Sequence, residues 1–229
     1  MRCLSYLLIA LCGLPSITQA QEKKQPKPDP SLQKVVDVPG LPRILLIGDS
    51  ISMGYTLPVR KLYEGTANVH RPPENGGPTT TGLAKIDSWL TVNGSNKWDV
   101  IHFNWGLHDL KVTKEGDQVS PDEYEKNLRL LVKKLKATGA KLIWATTTPV
   151  PGGKLNPPRK NEDVIQYNAI ALKIMKEEGI AIDDLYAAVL PKQSDWQRPE
   201  NVHFTEAGSK ALADIVFKAI DQQLKAQAK

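Results

Sequence analysis

A serine near the beginning of the chain and a histidine near its end are the residue types that best fit a catalytic role. Ser50 stands in the motif Gly48-Asp49-Ser50, directly after an apolar run, and His203 follows Glu200 by three positions. A serine hydroxyl is a poor nucleophile until a base takes its proton, and that base needs a third group that holds its tautomer and stabilises its cation. Ser50, His203 and Glu200 suit these three roles, with Asp195 as an alternative acid.

Other kinds of active site lack their sequence signatures. The hydrolase motif G-x-S-x-G is absent because Ser52 takes the place of its last glycine, and the chain has neither a G-x-x-x-x-G-K-[ST] phosphate-binding loop nor an H-E-x-x-H zinc motif. The four histidines and the acids near them show no spacing typical of metal ligands. We therefore predict no metal and no cofactor, and a phosphoryl-transfer enzyme is disfavoured.

The alternation of apolar runs with amphipathic segments indicates the fold. Three continuous apolar runs and two weaker ones predict strands at 44–47, 100–103, 142–145, 67–70 and 180–182. Helical segments between strands are typical of a parallel sheet that is covered on both faces. The sequence therefore predicts an α/β fold, a three-layer α/β/α sandwich with a parallel five-stranded sheet. Its chemistry is expected beyond the carboxyl ends of the strands.

Three of the helices have clear start and stop signals. Ser120-Pro121-Asp122-Glu123 is a capping box with proline at the first helical position, and Gly139 ends that helix. A second amphipathic helix begins at Asn161 and ends at Gly179, and Thr205 caps the last helix. These helices lie where a parallel sheet needs its crossover connections.

The motifs around Ser50 and His203 resemble those of SGNH (GDSL-type) hydrolases, a family of serine esterases named for four residues in separate sequence blocks. Gly48-Asp49-Ser50 matches the first block, and His203, followed by Phe204-Thr205-x-x-Gly208, matches the base of the last block. Gly82 sits where the glycine of the second block is expected, after the second strand. The resemblance spans 41–224. It implies the flavodoxin-like SGNH-hydrolase fold, Ser50 as the nucleophile, and N–H groups of Ser50 and Gly82 in the oxyanion hole.

Two positions depart from the family pattern. The third block of the family reads G-x-N-D, where the asparagine amide donates to the oxyanion, but here it reads Gly106-Leu107-His108-Asp109. Either His108 replaces that donor with a ring N–H, or Asn104 supplies an amide from two residues before the glycine. Glu200 stands where the family commonly has aspartate, and it offers the same charge and the same acceptors.

Residues near these motifs are candidates for contacts with substrate. Trp105 and Trp196 lie next to proposed site residues, and their rings are candidates for a substrate rim that stacks on a sugar. Lys154, Arg159 and Lys160 follow the fourth strand. They form either a solvated run or a basic rim that attracts anionic substrates.

The first 20 residues have the pattern of a secretory signal peptide. A cationic start at Arg2 precedes an apolar stretch at 4–14, and small residues lead to Ala20. We predict a signal peptide at 1–20, a linker at 21–40 and an SGNH hydrolase-like domain at 41–229, with export to a periplasm or the extracellular space. Both cysteines, Cys3 and Cys12, lie in the signal. The processed protein therefore has no disulfide, no thiolate metal site and no cysteine nucleophile.

The composition fits one ordinary globular domain and narrows the range of partners. Hydrophobic residues make up 41% and charged residues 24% of the chain, whose net charge is +5. No arginine-rich stripe with interleaved aromatic residues occurs, so no nucleic-acid partner is predicted. The chain also has no central run of the ~18 apolar residues that a membrane span needs, so we expect no integral membrane segment after processing.

We predict a secreted serine esterase that hydrolyses carboxylic esters, including acetyl esters of carbohydrate, through an acyl-serine intermediate. The partner is accordingly a small-molecule or carbohydrate ester. Two alternatives stay open: a non-catalytic glycan-binding module on the same scaffold, and a lipid or thioester hydrolase.

Overall fold

The structure is a computed structural model that describes residues 28–227. The predicted signal peptide and the first part of the predicted linker lie outside the described residues. The strands are β1 (Arg43–Ile47), β2 (Asn68–His70), β3 (Val100–Phe103), β4 (Val112–Thr113), β5 (Gly116–Asp117), β6 (Lys141–Ala145) and β7 (Ala181–Asp183). Five of them form one parallel sheet in the order β2-β1-β3-β6-β7, and β4 pairs antiparallel with β5. The five strands of this sheet are those that the apolar runs predict.

Helices cover both faces of this sheet, which confirms the predicted three-layer α/β/α fold. They are α1 (Ser50–Leu62), α2 (Thr79–Leu90), α3 (Pro121–Lys136), α4 (Asn161–Glu177), α5 (Leu185–Val189), α6 (Gln193–Trp196) and α7 (Glu206–Gln227). Helix α1 packs against α7, while α3 packs against both α2 and α4. Within residues 28–227, no helix combines the length and the apolar character that crossing a membrane requires.

The helix ends follow the local signals in the sequence. The Ser120 hydroxyl accepts a hydrogen bond from the N–H of Glu123 at 3.4 Å, which begins α3, and Gly139 follows that helix with a φ of 75°. The Thr205 hydroxyl accepts from the N–H of Gly208 at 3.0 Å in the first turn of α7. Side-chain oxygens at these positions satisfy N–H groups that have no acceptor within the helix. The predicted starts of both helices are confirmed.

The segment just before β1 is attached to the sheet. Nε of Arg43 donates to the Asp37 carboxylate at 3.0 Å, and the N–H of Val38 donates to Oδ1 of Asn68 at 2.8 Å. The described end of the predicted linker therefore lies against the domain. It is held there by the first residues of β1 and β2.

Candidate active site

Ser50 and His203 meet beyond the carboxyl end of β1. Strand β1 ends at Ile47, and Asp49 caps α1 because its Oδ1 accepts from the N–H of Ile51 at 2.9 Å. Ser50 is the first residue of α1, so its own N–H lies in the turn where helix N–H groups have no intrahelical acceptor. Nε2 of His203 lies 2.9 Å from Oγ of Ser50. The hydroxyl and the imidazole are within hydrogen-bond distance of each other.

The other ring nitrogen of His203 contacts Asn201. Nδ1 lies 2.7 Å from Oδ1 of Asn201, and the same oxygen accepts the backbone N–H of His203 at 2.9 Å. An amide oxygen only accepts, so Nδ1 carries a proton and Nε2 has a lone pair. His203 is therefore in the tautomer that accepts the proton of Ser50.

Neither of the two expected acids occupies the position at Nδ1. Glu200 is exposed, and its carboxylate lies beside Gly153. Asp195 is also exposed and accepts from the Ser194 hydroxyl at 3.3 Å. The backbone of Glu200 is in the left-handed region, with a φ of 49°. This turn directs the next side chain, that of Asn201, towards the imidazole.

Gly82 lies inside α2, and its N–H is used within that helix. Its N–H donates to the carbonyl of Pro78 at 3.1 Å, and a Cβ at this position would lie 2.9 Å from the ring of Trp105. Since its N–H already has an intrahelical acceptor, Gly82 has no free donor for an oxyanion. The glycine allows close packing of α2 on Trp105.

A different glycine of this segment, Gly76, approaches the loop between β1 and Ser50. The N–H of Gly76 donates to the carbonyl of Gly48 at 3.0 Å, and a Cβ on Gly76 would lie 2.8 Å from that oxygen. Only a residue without a side chain fits there. The preceding residue, Asn75, lines the same cavity as Ser50.

The two candidate oxyanion donors, Asn104 and His108, have different surroundings in the structure. Nδ2 of Asn104 donates to the carbonyl of Ala145 at 2.8 Å and to the Thr147 hydroxyl at 3.1 Å, so this amide joins the ends of β3 and β6. His108 lines the cavity at Ser50. Since the ammonium of Lys111 can only donate, the 3.0 Å contact to Nδ1 of His108 leaves the ring proton on Nε2.

Neither Trp105 nor Trp196 has the expected position on a substrate rim. Trp105 is 1% exposed and belongs to the hydrophobic core, so its ring is not available to a sugar. Trp196 is half-buried, packs against the core, and accepts the N–H of Thr205 through its carbonyl at 2.8 Å. Neither ring lines the two cavities at Ser50.

Two cavities flank the Ser50–His203 pair. The larger has a volume of about 260 Å³, and its lining includes the polar and charged residues Asn75, His108, Lys111, Arg159, Glu200 and Asn201. The smaller has a volume of about 150 Å³ and is lined by Gly54, Phe204 and Ser209, among others. Ser50 and His203 line both cavities.

Burial and nearby cations keep both histidines of the site neutral. Burial lowers the pKa of His203, and Arg198 and Arg159 lower it further, against the opposing effect of the Asp49 carboxylate. The pKa of His108 is likewise lowered, chiefly by burial. His203 is therefore a free base at neutral pH.

Three residues of the site were missed by sequence reasoning: Asn75, Lys111 and Asn201. The Asn75-Gly76 pair is a turn signal, and Asn201 lies two residues before a histidine, where its side chain can bond back to the backbone. Both patterns are common outside active sites, so they do not indicate a catalytic role by themselves. Within residues 28–227 no group of three or more His, Cys, Asp or Glu residues is arranged to hold a metal ion.

Comparison with known families defines the class of protein. Residues 46–211 match the GDSL-like Lipase/Acylhydrolase family, and the match includes both Ser50 and His203. The chain belongs to this family, which confirms the resemblance seen in the sequence and makes the protein an ester-hydrolysing enzyme. No curated protein sequence is similar enough to count as a relative.

Solved structures share the fold at low sequence identity. The acetyl xylan esterase AlAXEase has a TM-score of 0.63 and 18% identity, and the comparison covers 78% of this chain and 99% of that one. Axe2, an acetylxylan esterase from Geobacillus stearothermophilus, has a TM-score of 0.64 and 22% identity over 78% and 94% of the two chains. A lipase/acylhydrolase from Enterococcus faecalis has a TM-score of 0.66 and 20% identity over 80% and 97%.

Proposed function

We propose that this protein is an exported serine esterase that removes short acyl groups, acetyl above all, from carbohydrate esters. The observation that carries the proposal is the 2.9 Å contact between Nε2 of His203 and Oγ of Ser50. Two of its structural neighbours are acetylxylan esterases by name. Export is supported by the signal-peptide pattern at 1–20.

The reaction begins with attack of the serine on the ester carbonyl. Oγ of Ser50 bonds to the carbonyl carbon while its proton passes to Nε2 of His203. Asn201 holds the proton on Nδ1 through its amide oxygen and keeps the ring in place. The tetrahedral intermediate then collapses, the alcohol oxygen leaves with the proton from Nε2, and the acyl group remains on Ser50.

Water completes the cycle by the same route. Nε2 of His203 takes a proton from water, the hydroxide attacks the acyl carbon, and collapse returns the proton to Oγ of Ser50 as the carboxylic acid is released. The negative charge on the carbonyl oxygen is stabilised by the N–H of Ser50 at the start of α1 and by Nε2–H of His108. No cofactor takes part.

The shape of the site supports a short acyl group. The cavity of about 150 Å³ is bounded by Gly54, where a Cβ would come within 3.3 Å of the Ser209 hydroxyl. This space suits the acyl group, and the cavity of about 260 Å³ suits the bulkier alcohol. Esters of long fatty acids are accordingly expected to react slowly.

Substitution of the nucleophile tests the proposal. Ser50→Ala is expected to lower kcat on an aryl acetate by ~10⁴-fold or more, because only oxyanion stabilisation and binding remain. A fluorophosphonate probe should label the wild-type protein at Ser50 and leave Ser50→Ala unlabelled. Ser52→Ala is the matched control, since Ser52 is buried and bonded to Arg71 instead. Absence of labelling in the wild type would favour a glycan-binding module without catalysis.

A further inference from the structure

The larger cavity at Ser50 contains two cations that have no acidic partner. Lys111 and Arg159 both line it, and neither takes part in an ion pair in the part of the chain that the structure describes. The one carboxylate on the wall is that of Glu200, which is exposed and also unpaired among residues 28–227. With His108 and His203 neutral, the wall has a net positive charge.

Arg159 is held by backbone groups in a way that leaves part of its guanidinium unused. Nε donates to the carbonyl of Leu107 at 2.8 Å, and Nη1 donates to that of Pro157 at 3.2 Å. Nη2 makes no hydrogen bond within residues 28–227. The planar group is thus oriented before any ligand binds, which lowers the entropic cost of binding a carboxylate.

Lys111 adds a second positive charge on the same wall. One N–H of its ammonium is used by Nδ1 of His108 at 3.0 Å, which leaves two more donors. Burial lowers the pKa of both Lys111 and Arg159, and the charge of Arg159 lowers that of Lys111 further. The nearby Asp49 carboxylate opposes this effect without forming an ion pair with either cation. A bound anion would restore the missing partner.

We infer that the alcohol part of the natural ester carries a carboxylate, as an acidic sugar does, and that Arg159 and Lys111 bind it. The inference rests on the proposed esterase function and narrows its substrate class. It places the anion in the larger cavity, on the alcohol side of the carbonyl, since the smaller cavity takes the acyl group. Arg159 and Lys111 are specificity-determining residues in this view.

Two acetate esters that differ only in charge test the inference. 4-Acetoxybenzoate and 4-acetoxybenzamide have nearly the same shape, and each kcat/KM is divided by the hydroxide-catalysed rate of that ester to remove intrinsic reactivity. We expect the wild-type protein to prefer the carboxylate by about ten-fold. The preference should shrink as salt rises from about 0.05 M to about 0.5 M, since ions screen the interaction.

Three variants assign the preference to the cavity. Arg159→Gln should lower the ratio of the two esters several-fold, because only Lys111 then remains to bind the carboxylate. Arg159→Lys keeps the charge and should lower the ratio less. Lys114→Gln removes the same charge from an exposed position outside the cavity and should leave the ratio unchanged. Because the ratio is internal to each variant, a general loss of active protein does not alter it.

The outcomes separate this inference from the proposed function. Equal normalised rates for the two esters in the wild type, or a preference that is undiminished in Arg159→Gln, would overturn the anionic substrate and leave the esterase intact. Hydrolysis of neither ester would overturn the esterase itself, and the inference with it.

Discussion

His203, the proposed base, is held by an amide where serine hydrolases commonly have a carboxylate. Oδ1 of Asn201 accepts Nδ1–H of His203 at 2.7 Å, which sets the tautomer but offers no full negative charge to the imidazolium. His203 already has a pKa below its ordinary value, through burial and nearby cations. The site therefore favours a neutral base over a strongly stabilised cation.

Substitution of Asn201 should separate orientation from charge. Asn201→Asp places a carboxylate at Nδ1 and is expected to raise the pKa of His203 by about one unit. Activity needs the neutral ring, so the acid limb of the kcat/KM profile should move to higher pH. Asn201→Ala should lower kcat by ~10²-fold or more, because the ring loses its orienting partner.

Glu200→Gln is the control and should leave the acid limb of the kcat/KM profile in place. A limb that moves equally in Glu200→Gln would return the orienting role to Glu200.

Substitution of His108 tests the donor to the oxyanion. His108→Ala is expected to lower kcat by ~10²-fold with a smaller change in KM, because the hydrogen bond matters most in the transition state. His108→Asn restores the residue type of the family motif and should recover much of the rate. Asn104→Ala is the comparison, since Asn104 bonds to Ala145 and Thr147 and its loss should mainly lower Tm. A large fall in kcat for Asn104→Ala at unchanged Tm would contradict this assignment.

At the scale of elements, the buried carboxyl group of Asp109 connects the loop after β3 to the start of α2. Oδ1 of Asp109 accepts both the N–H and the hydroxyl of Thr79, at 2.8 and 2.5 Å, and so caps α2 from a distant part of the chain. Oδ2 has no hydrogen-bond partner within residues 28–227. Burial raises the pKa of Asp109 to about 7, against the lowering effect of its bonds to Thr79. The group is therefore largely protonated in mildly acidic solution.

This raised pKa makes the stability of the fold depend on pH. The folded protein keeps the Asp109 proton up to about pH 7, whereas the unfolded chain releases it near the ordinary value of about 4. The folded state binds more protons between these values, so the free energy of unfolding should fall as pH rises through that window. Asp109→Asn cannot ionise and keeps an oxygen for Thr79. Urea unfolding at pH 5 and pH 8 measures how far the free energy of unfolding falls between these pH values. This fall should be smaller by roughly 1–3 kcal/mol in Asp109→Asn than in the wild type. Equal falls in the two proteins would contradict the raised pKa of Asp109.

A buried arginine ties the loop after β1 to the loop after β2. Arg71 donates to the carbonyl of Gly48 at 3.1 Å and to the hydroxyls of Ser52 and Thr56 at 3.1 and 2.9 Å. The carbonyl of Gly48 also accepts the N–H of Gly76. The position of Ser50 is therefore determined by two loops of the sheet edge together.

At the scale of the whole molecule, the strand order explains how the ends of the chain meet. Strand β1 lies next to the centre of the sheet, between β2 and β3, so Ser50 emerges near its middle. The last helix returns across the same face and packs against α1, with contacts to β3, β6 and β7 as well. This packing brings His203, just before α7, to the first turn of α1. A parallel sheet with its loops at one edge makes that meeting possible.

The sequence alone determined the five strands of the main sheet and three of the helices, and it singled out Ser50 and His203. Apolar runs, caps and glycine stops are local signals, and they predicted all five strands of the sheet and the starts of α3, α4 and α7. They missed α2, whose first N–H is capped by Asp109 from another part of the chain, and with it the place of Gly82 inside a helix. Helix capping across the fold leaves no pattern in neighbouring residues.

Only the tertiary structure decided which groups surround Ser50 and His203. Asn201 rather than Glu200 contacts Nδ1 of His203, and the backbone of Glu200 is in the left-handed region at this turn. Asn104 is engaged at the ends of two strands, and Lys111 leaves the proton of His108 on Nε2. A sequence motif supplies residue types, but the direction of a side chain depends on backbone angles and on competing hydrogen-bond partners that come from distant segments.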